Sequence, residues 1–341
     1  MTLSKFSLLD CTLRDGGYIT DGKFNDSAIR DIIGTLILSH IDYIEVGYLN
    51  NLKPYNGNTT HWNSLEMIGD FIPKDRRGCT ILAMVDVDQF GLDDFIPFES
   101  RNVEGIRIVF YKHQIERAIK YAERIKNYGY KLFVQPMVTI DYSKSEYSAL
   151  CEKLLNLEPQ CVSIVDSFGY MTPQDFRKYF KILDNIFPSD TIIGFHSHQN
   201  MELSLPTAID VLSYNTERKL IIDCSLLGMG RGAGNLQTEL IANYYNNNFT
   251  YKYDISEIIR LVNDYIAPIR DISSWGYSPY FFLTALNKCH PNYWCYLYEI
   301  DTNFSISEFN NFLKIIPDDM RTKCRRTYVK EIYNMYKESN K

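Results

Sequence analysis

The chain has 341 residues, of which 45% are hydrophobic and 23% charged. Those proportions are ordinary for a globular protein and exclude disorder, collagen and coiled coil as whole-chain descriptions. Lys+Arg 36 against Asp+Glu 42 gives a net charge of −6. Without a Lys/Arg cluster, that leaves no footprint of a general nucleic-acid binder, although small anions can bind locally. No apolar run approaches the roughly 18 residues of a membrane span. Met1 to Ser7 lacks the apolar core of a signal peptide. The eight cysteines form no C-x-x-C pair, so they read as buried free thiols of a reducing compartment, and a cytoplasmic protein is expected.

In chain order, short apolar runs alternate with longer amphipathic stretches. Strands are predicted at Ser7–Cys11, Tyr43–Gly47, Thr80–Val85, Gly105–Phe110, Lys131–Val138, Cys161–Val165, Thr191–Phe195 and Leu220–Ser225. Each is a continuous apolar or β-branched run, as a strand buried on both faces of a parallel sheet requires. Helices are predicted at Asp26–Leu38, Gln114–Asn127, Ser145–Leu157, Pro173–Phe187, Met201–Leu212 and Leu236–Tyr245. Thr172-Pro173 supplies an N-cap followed by proline at the first helical position. The third unit is the weakest, with only Gln89–Phe95 for its helix.

Eight such units in about 250 residues fit a (β/α)8 TIM barrel better than an open doubly wound sheet. A length of 341 residues suggests about two domains. The pattern divides the chain into a barrel over residues 1–250 and a helical C-terminal extension over 251–341. Within the extension, helices are predicted at Tyr253–Ile272, Ser305–Ile316 and Arg325–Glu338, and Asp271–Tyr298 is expected to be irregular. The aromatic run His290–Tyr296 reads as packed core of the extension more readily than as a partner or dimer surface.

Function in a barrel sits at the C-terminal ends of the strands. The seventh strand ends in His196-Ser197-His198. Side chains two apart in an extended segment point to one side, so both imidazoles can converge on one ion. Asp15 follows the first strand, a neighbour once the barrel closes. Two histidines and a carboxylate suit a divalent metal with positions left open for substrate. Two hydrogen-bonded structural histidines are the plainer alternative, and the barrel-mouth position favours the metal. Arg14 suits a carboxylate or a developing enolate, or equally an ion pair with Glu45 or Asp86. The glycines at 228, 230, 232 and 234 let backbone approach a ligand or simply close the barrel tightly, and their order does not match the dinucleotide fingerprint.

Taken together, Thr12-Leu13-Arg14-Asp15-Gly16, Ile44-Glu45-Val46-Gly47, Asp166-Ser167-Phe168-Gly169, His196-Ser197-His198-Gln199-Asn200 and Gly230-Arg231-Gly232-Ala233-Gly234-Asn235 resemble the ordered motifs of the DRE-TIM metallolyases. The similarity is strongest to the 4-hydroxy-2-oxovalerate aldolase branch. It implies Mn²⁺ or Mg²⁺ held by Asp15, His196 and His198, with Asn235 as a weaker ligand. It implies that Arg14 stabilises a pyruvate enolate, and that Tyr277 of the extension joins the catalytic residues. The same motifs make Glu45, Asp166, Ser167 and Arg231 candidate substrate-binding residues. The chain departs from the branch at Tyr18, which stands where the aldolases carry a histidine base. A tyrosine with an ordinary pKa of about 10 is a poor base at neutral pH, but it can orient or polarise a substrate oxygen.

The resemblance therefore implies a divalent-metal-dependent aldolase. It would act on a small 2-oxo acid and give pyruvate plus an aldehyde, with an aldehyde dehydrogenase as a possible partner and a homo-oligomeric state. The alternatives are an acyl-CoA/2-oxo acid Claisen condensing enzyme, like the isopropylmalate and citramalate synthases, and a non-catalytic, partner-dependent barrel.

Overall fold

The computed structural model describes residues 5–52, 54–98 and 103–339. Eight parallel strands close on themselves: β1 (Phe6–Asp10), β2 (Tyr43–Leu49), β3 (Thr80–Asp86), β4 (Gly105–Phe110), β5 (Lys131–Pro136), β6 (Cys161–Asp166), β7 (Ile192–Ser197) and β8 (Leu220–Cys224). Each pairs with the next, and β8 pairs with β1 along its whole length, from Phe6 opposite Leu220 to Asp10 opposite Cys224. This is the (β/α)8 barrel that the alternation of runs implies.

The continuous apolar runs have a direct cause. One face of each strand lines the barrel and the other carries the helices, so both faces exclude water. Leu8, Ile44, Ile81, Ala83, Ile106 and Ile108 belong to the large core under the helices. Leu9, Leu82, Phe133, Cys161, Ile192 and Ile221 form a separate apolar plug inside the barrel. Two residues further along the strands, the interior turns polar. Glu45, Arg107, Gln135 and Asp223 are all buried there. The plug closes the bottom of the barrel, and the polar layer forms the floor of its mouth.

Helices follow the strands at Asp26–Leu38, Ile115–Asn127, Lys144–Leu155, Pro173–Ile186, Ser204–Leu212 and Thr238–Asn248. Thr172 caps the fourth of these in a reciprocal box with Asp175, with Pro173 at the first turn. The expected helix at Gln89–Phe95 is instead a single 3₁₀ turn, Leu92–Asp94. Gly91 and Pro97 bracket too few residues for an α-helix to nucleate. Between β2 and β3 the chain forms a two-residue strand, His61–Trp62, beside the end of β2, then a short helix, Leu65–Gly69. Neither has a periodic signature long enough to read.

After the barrel, Ile255–Leu261 continues through a widened π turn, Val262–Ile266, into Ala267–Ile272. Pro268 cannot donate a backbone N–H, which accounts for the distortion beside it. The segment expected to be irregular holds two helices, Pro279–Leu286 and Asn292–Ile300. Ser278 caps the first by accepting the Tyr280 N–H, and Pro279 opens it. Its apolar residues gave no clear stripe because several aromatics pack on one another: Tyr280 and Trp294 stack with ring centroids 3.5 Å apart. With Ile306–Lys314 and Arg326–Ser339 these helices enclose a second core of Tyr293, Leu297, Phe309, Phe312 and Val329. All eight cysteines are free, and six of them are buried. Among the described residues no helix is long and apolar enough to cross a membrane.

Candidate metal centre

The mouth of the barrel brings β1, β7 and β8 together. After β1, Asp10 accepts the Thr12 N–H at 2.9 Å and the Thr238 hydroxyl at 2.6 Å. This fixes the start of the one-turn helix Thr12–Asp15, which delivers Arg14 and Asp15 to the mouth. His196 lies within β7 and His198 just beyond its end. Asp15, His196 and His198 are buried, and they present one donor atom each within 4.8 Å of one another. Asp15 Oδ2 lies 3.9 Å from Nε2 of either histidine.

A buried charge network holds the cluster. Arg14 Nε donates to Glu45 Oε2 at 2.6 Å, and its Nη1 donates to Asp15 Oδ1 at 2.5 Å. Glu45 Oε1 is 3.5 Å from Nε of Arg107. Arg107 forks onto both oxygens of Asp223 and also donates to Gln135 Oε1 at 2.7 Å. Asp223 Oδ2 in turn accepts from His196 Nδ1 at 3.0 Å. That bond places the proton of a neutral His196 on Nδ1 and turns the Nε2 lone pair towards Asp15 and His198, as a carboxylate behind a metal-bound histidine does. The expected ion pair of Arg14 with Glu45 is present. Asp86 instead accepts from Gln89 and the Asp88 N–H.

The protonation states suit a cation. Burial alone would raise the Asp15 pKa, but the Arg14 guanidinium and the two imidazoles hold it well below the usual carboxylate range. Burial pushes His198 down to about 3 against the pull of Asp15, with His196 and Arg231 adding to the fall. His198 is therefore neutral, with a lone pair to offer. Arg14 and Arg107 stand against the carboxylates of Asp15, Glu45 and Asp223, and Arg231 acts on Asp15 from outside this network. A divalent ion would add positive charge and prepare the mouth for an anionic substrate.

Two orphaned atoms test the fit further. Asn235 donates from Nδ2 to Asp15 Oδ2 and to the Met229 carbonyl, but its buried Oδ1 has no partner. Arg14 Nη2 is likewise buried and unpartnered. A buried polar atom left unsatisfied costs roughly 1–3 kcal/mol, so such atoms mark places built for a ligand. An oxygen beside Asp15 suits a cation, and a guanidinium N–H suits an oxyanion. Gly230 makes room for this: a Cβ there would lie 2.5 Å from Asn235 Nδ2 and 3.2 Å from Asp15 Oδ2.

The other candidates are placed differently. Tyr18 is 47% exposed at the mouth, with its hydroxyl 2.5 Å from the hydroxyl of buried Tyr48. Arg231 stacks its guanidinium over the Tyr18 ring, 4.8 Å from the centroid. Glu45 lies beneath Arg14, so its contacts are with arginines. Asp166 accepts the Tyr170 and Met171 N–H groups, and Ser167 Oγ accepts from Val138 N–H. Both bind neighbouring loops and stand outside the Asp15 cluster. Tyr277 is 57% exposed and belongs to none of these groups.

The sequence reading did not reach Asp223, Arg107, Tyr48 or His290. The first two lie mid-strand and carry no motif, although a charged residue inside an apolar run is itself a signal. His290 comes from the extension and packs on Phe168, ring centroids 5.1 Å apart.

The chain is similar to known proteins over most of its length. Residues 106–264 match the HMGL-like family model. A 4-hydroxy-2-oxovalerate aldolase of Marinomonas sp. (strain MWYL1) is 32% identical over 270 residues, 78% of either chain. An oxaloacetate decarboxylase of Mycobacterium tuberculosis is 25% identical over 240 residues, 69% of this chain and 68% of that one. Among solved structures, the N-terminal domain of a Bacteroides vulgatus protein provisionally named an aldolase is 26% identical, with a TM-score of 0.73, and the match covers 87% of this chain and 98% of that one. A barrel whose mouth holds two histidines and an aspartate, with relatives of this kind, belongs to the HMGL-like family, the DRE-TIM metallolyases, close to the 4-hydroxy-2-oxovalerate aldolase branch.

Proposed function

We propose that the chain is a divalent-metal-dependent aldolase that cleaves a 4-hydroxy-2-oxo acid into pyruvate and an aldehyde. The observation that carries this reading is the buried Asp15, His196, His198 cluster with an unpartnered guanidinium N–H one residue away. Asp15, His196 and His198, with Oδ1 of Asn235, would hold Mn²⁺ or Mg²⁺. Such an ion supplies Lewis-acid polarisation of the 2-oxo group.

The chain's own residues do the rest. As the C3–C4 bond breaks, its electron pair moves towards the 2-oxo oxygen, and Arg14 Nη2 donates to the charge that develops there. Glu45 and Asp15 hold the other two nitrogens of the fork, so Arg14 is preorganised. Tyr18 with Tyr48 forms a hydroxyl pair at the mouth, placed to guide the 4-hydroxyl proton. An aldehyde dehydrogenase that takes up the product and a homo-oligomeric state belong to the same reading.

The oxaloacetate decarboxylase relative favours one second reading. Loss of CO₂ from a 2-oxo acid with a carboxylate at C3 leaves the same pyruvate enolate, so the machinery would serve both.

The test is metal analysis followed by pyruvate release over a panel of 4-hydroxy-2-oxo acids. The expected result is one tightly held divalent ion, turnover lost on chelation and restored by Mn²⁺ or Mg²⁺, and loss of both ion and turnover in Asp15→Asn and His196→Ala. Full turnover after thorough metal removal would sink the proposal. Thiol release from acetyl-CoA with 2-oxo acids, in place of pyruvate release, would assign the Claisen condensation instead.

A further inference from the structure

Arg231 is a cation that no carboxylate pairs with directly among the described residues. Its side chain is largely withdrawn from solvent, and its Nε is buried without a hydrogen-bond partner. Arg14, Arg107 and Arg218 each donate at least two hydrogen bonds to carboxylates or carbonyls. Arg231 lies instead over the face of Tyr18, which offers its π cloud but accepts none of the N–H groups. The carboxylate that acts on it most is Asp15. Both Asp15 oxygens are already taken, Oδ1 by Arg14 and Oδ2 by Asn235. A divalent ion on Asp15 would leave the Arg231 charge more exposed still.

The extension closes this corner with the His290-Pro291 turn. A Cβ on Gly232 would lie 3.1 Å from Cβ of Pro291, so the His290-Pro291 turn sits directly on the loop that carries Arg231. Burial holds His290 well below its ordinary pKa, with Arg231 and His198 adding to the fall, so it is uncharged. Its Nδ1 accepts the Asn292 N–H at 3.0 Å, which leaves the proton on Nε2 as a donor. The loop itself is braced by Asn200, whose Oδ1 accepts the Ala233 N–H at 2.8 Å while Nδ2 donates to the Phe168 carbonyl at 3.0 Å. A rigid loop thus holds a permanent cation beside the metal centre and apart from Arg14.

From this we infer that Arg231 anchors a second carboxylate of the substrate, so that the preferred substrate is a doubly charged 2-oxo acid and not one that releases a neutral alkyl aldehyde. The inference rests on the aldolase reading for which bond breaks, but its binding component stands apart from turnover. The first carboxylate and the 2-oxo group go to the metal and Arg14. The second carboxylate, carried on C4, goes to Arg231. Cleavage of C3–C4 then leaves the electron pair on the pyruvate enolate. The C4 hydroxyl passes its proton to the Tyr18–Tyr48 hydroxyl pair, the enolate takes up a proton at C3 to give pyruvate, and the C4 fragment departs as a 2-oxo acid, which keeps the second carboxylate.

Two pairs of compounds test this. 4-Hydroxy-2-oxoglutarate and 4-hydroxy-2-oxovalerate differ only in a carboxylate for a methyl group. 2-Oxoglutarate and 2-oxovalerate differ in the same way but lack the hydroxyl, so neither can be cleaved. Calorimetric binding of the second pair to the Mn²⁺-loaded protein, and KM and kcat for the first pair, are measured in the wild type, Arg231→Met and Arg231→Lys. A charge-assisted pair in this setting corresponds to about tenfold to hundredfold in affinity. The expected result is a preference of that size for the dicarboxylate, expressed in KM and in binding. It should collapse towards unity in Arg231→Met and be partly kept in Arg231→Lys, with melting temperatures close to the wild type.

Equal binding of 2-oxoglutarate and 2-oxovalerate by the wild type would overturn the inference. So would a loss in Arg231→Met that falls equally on both members of a pair. Failure of the aldolase reading alone would look different: the dicarboxylate preference in binding would persist, without cleavage of either hydroxy acid.

Discussion

His196 shows how much of a candidate metal centre lies behind its donor atoms. Its Nε2 is usable because Asp223 takes Nδ1, and Asp223 is fixed because Arg107 forks onto it. Burial would raise the Asp223 pKa, but Arg107 and the His196 contact bring it below the usual carboxylate range, so it stays a full acceptor. Asp223→Asn should therefore lower metal affinity by about 10–100-fold without removing any donor atom. Isothermal titration with Mn²⁺ measures this, and an unchanged affinity would show that the histidine needs no such support. Arg107 carries a greater structural load. It is fully buried between Glu45, Gln135 and Asp223, and Arg107→Ala would leave the Asp223 carboxylate without its guanidinium at a cost of about 3–5 kcal/mol. The sequence marks Asp15, His196 and His198 because each sits in a compact motif. It leaves Asp223 unmarked because its partner Arg107 is 116 residues away.

Among the elements, the helices divide by how well they read. Asp26–Leu38 and Ile115–Asn127 have one apolar stripe each, and the structure finds the boundaries given by the periodicity to within a residue. Pro279–Leu286 and Asn292–Ile300 bury aromatics against each other within the extension, so no clean stripe exists to read. A contact between elements also sets a pH dependence. Asp31, on the helix after β1, accepts from Arg260 and Tyr265 beyond the barrel, at 3.0 and 2.9 Å. Those hydrogen bonds, the Arg260 one first, hold Asp31 below its ordinary pKa. Its stabilising contribution is therefore present above the unfolded value of about 4 and is lost as pH falls below that. Asp31→Asn should be less stable than the wild type near pH 7, and the gap should close as pH falls from about 5 to 3. The site is partly exposed, so the gap should stay within about 1 kcal/mol and shrink with salt. Urea unfolding across that pH range checks it, and parallel profiles for the two proteins would count against the account.

For the whole molecule, the mouth concentrates unpaired buried polarity while the bottom of the barrel is apolar. Ligand binding and stability are thereby linked. A divalent ion that binds only the folded chain adds about 4 kcal/mol when present at a thousand times its Kd. Saturating Mn²⁺ should raise the melting temperature by several degrees, and Asp15→Asn should abolish the response. A shift of equal size in that variant would place the ion elsewhere.

The sequence by itself determined the barrel, because strands covered on both faces must be apolar throughout and the chain repeats that signal eight times. It also marked Asp15, His196 and His198 as the candidate metal-binding trio, because those residues cluster at strand ends. Only the tertiary structure decided what stands behind and around them. The Arg14–Glu45–Arg107–Asp223–His196 chain joins five segments across the barrel interior, and no local pattern encodes which mid-strand charges meet. The charge of Arg231, unpaired among the described residues, is equally invisible in a row of glycines. It depends on the carboxylates that fail to reach it once the barrel has closed and the extension has folded over the loop.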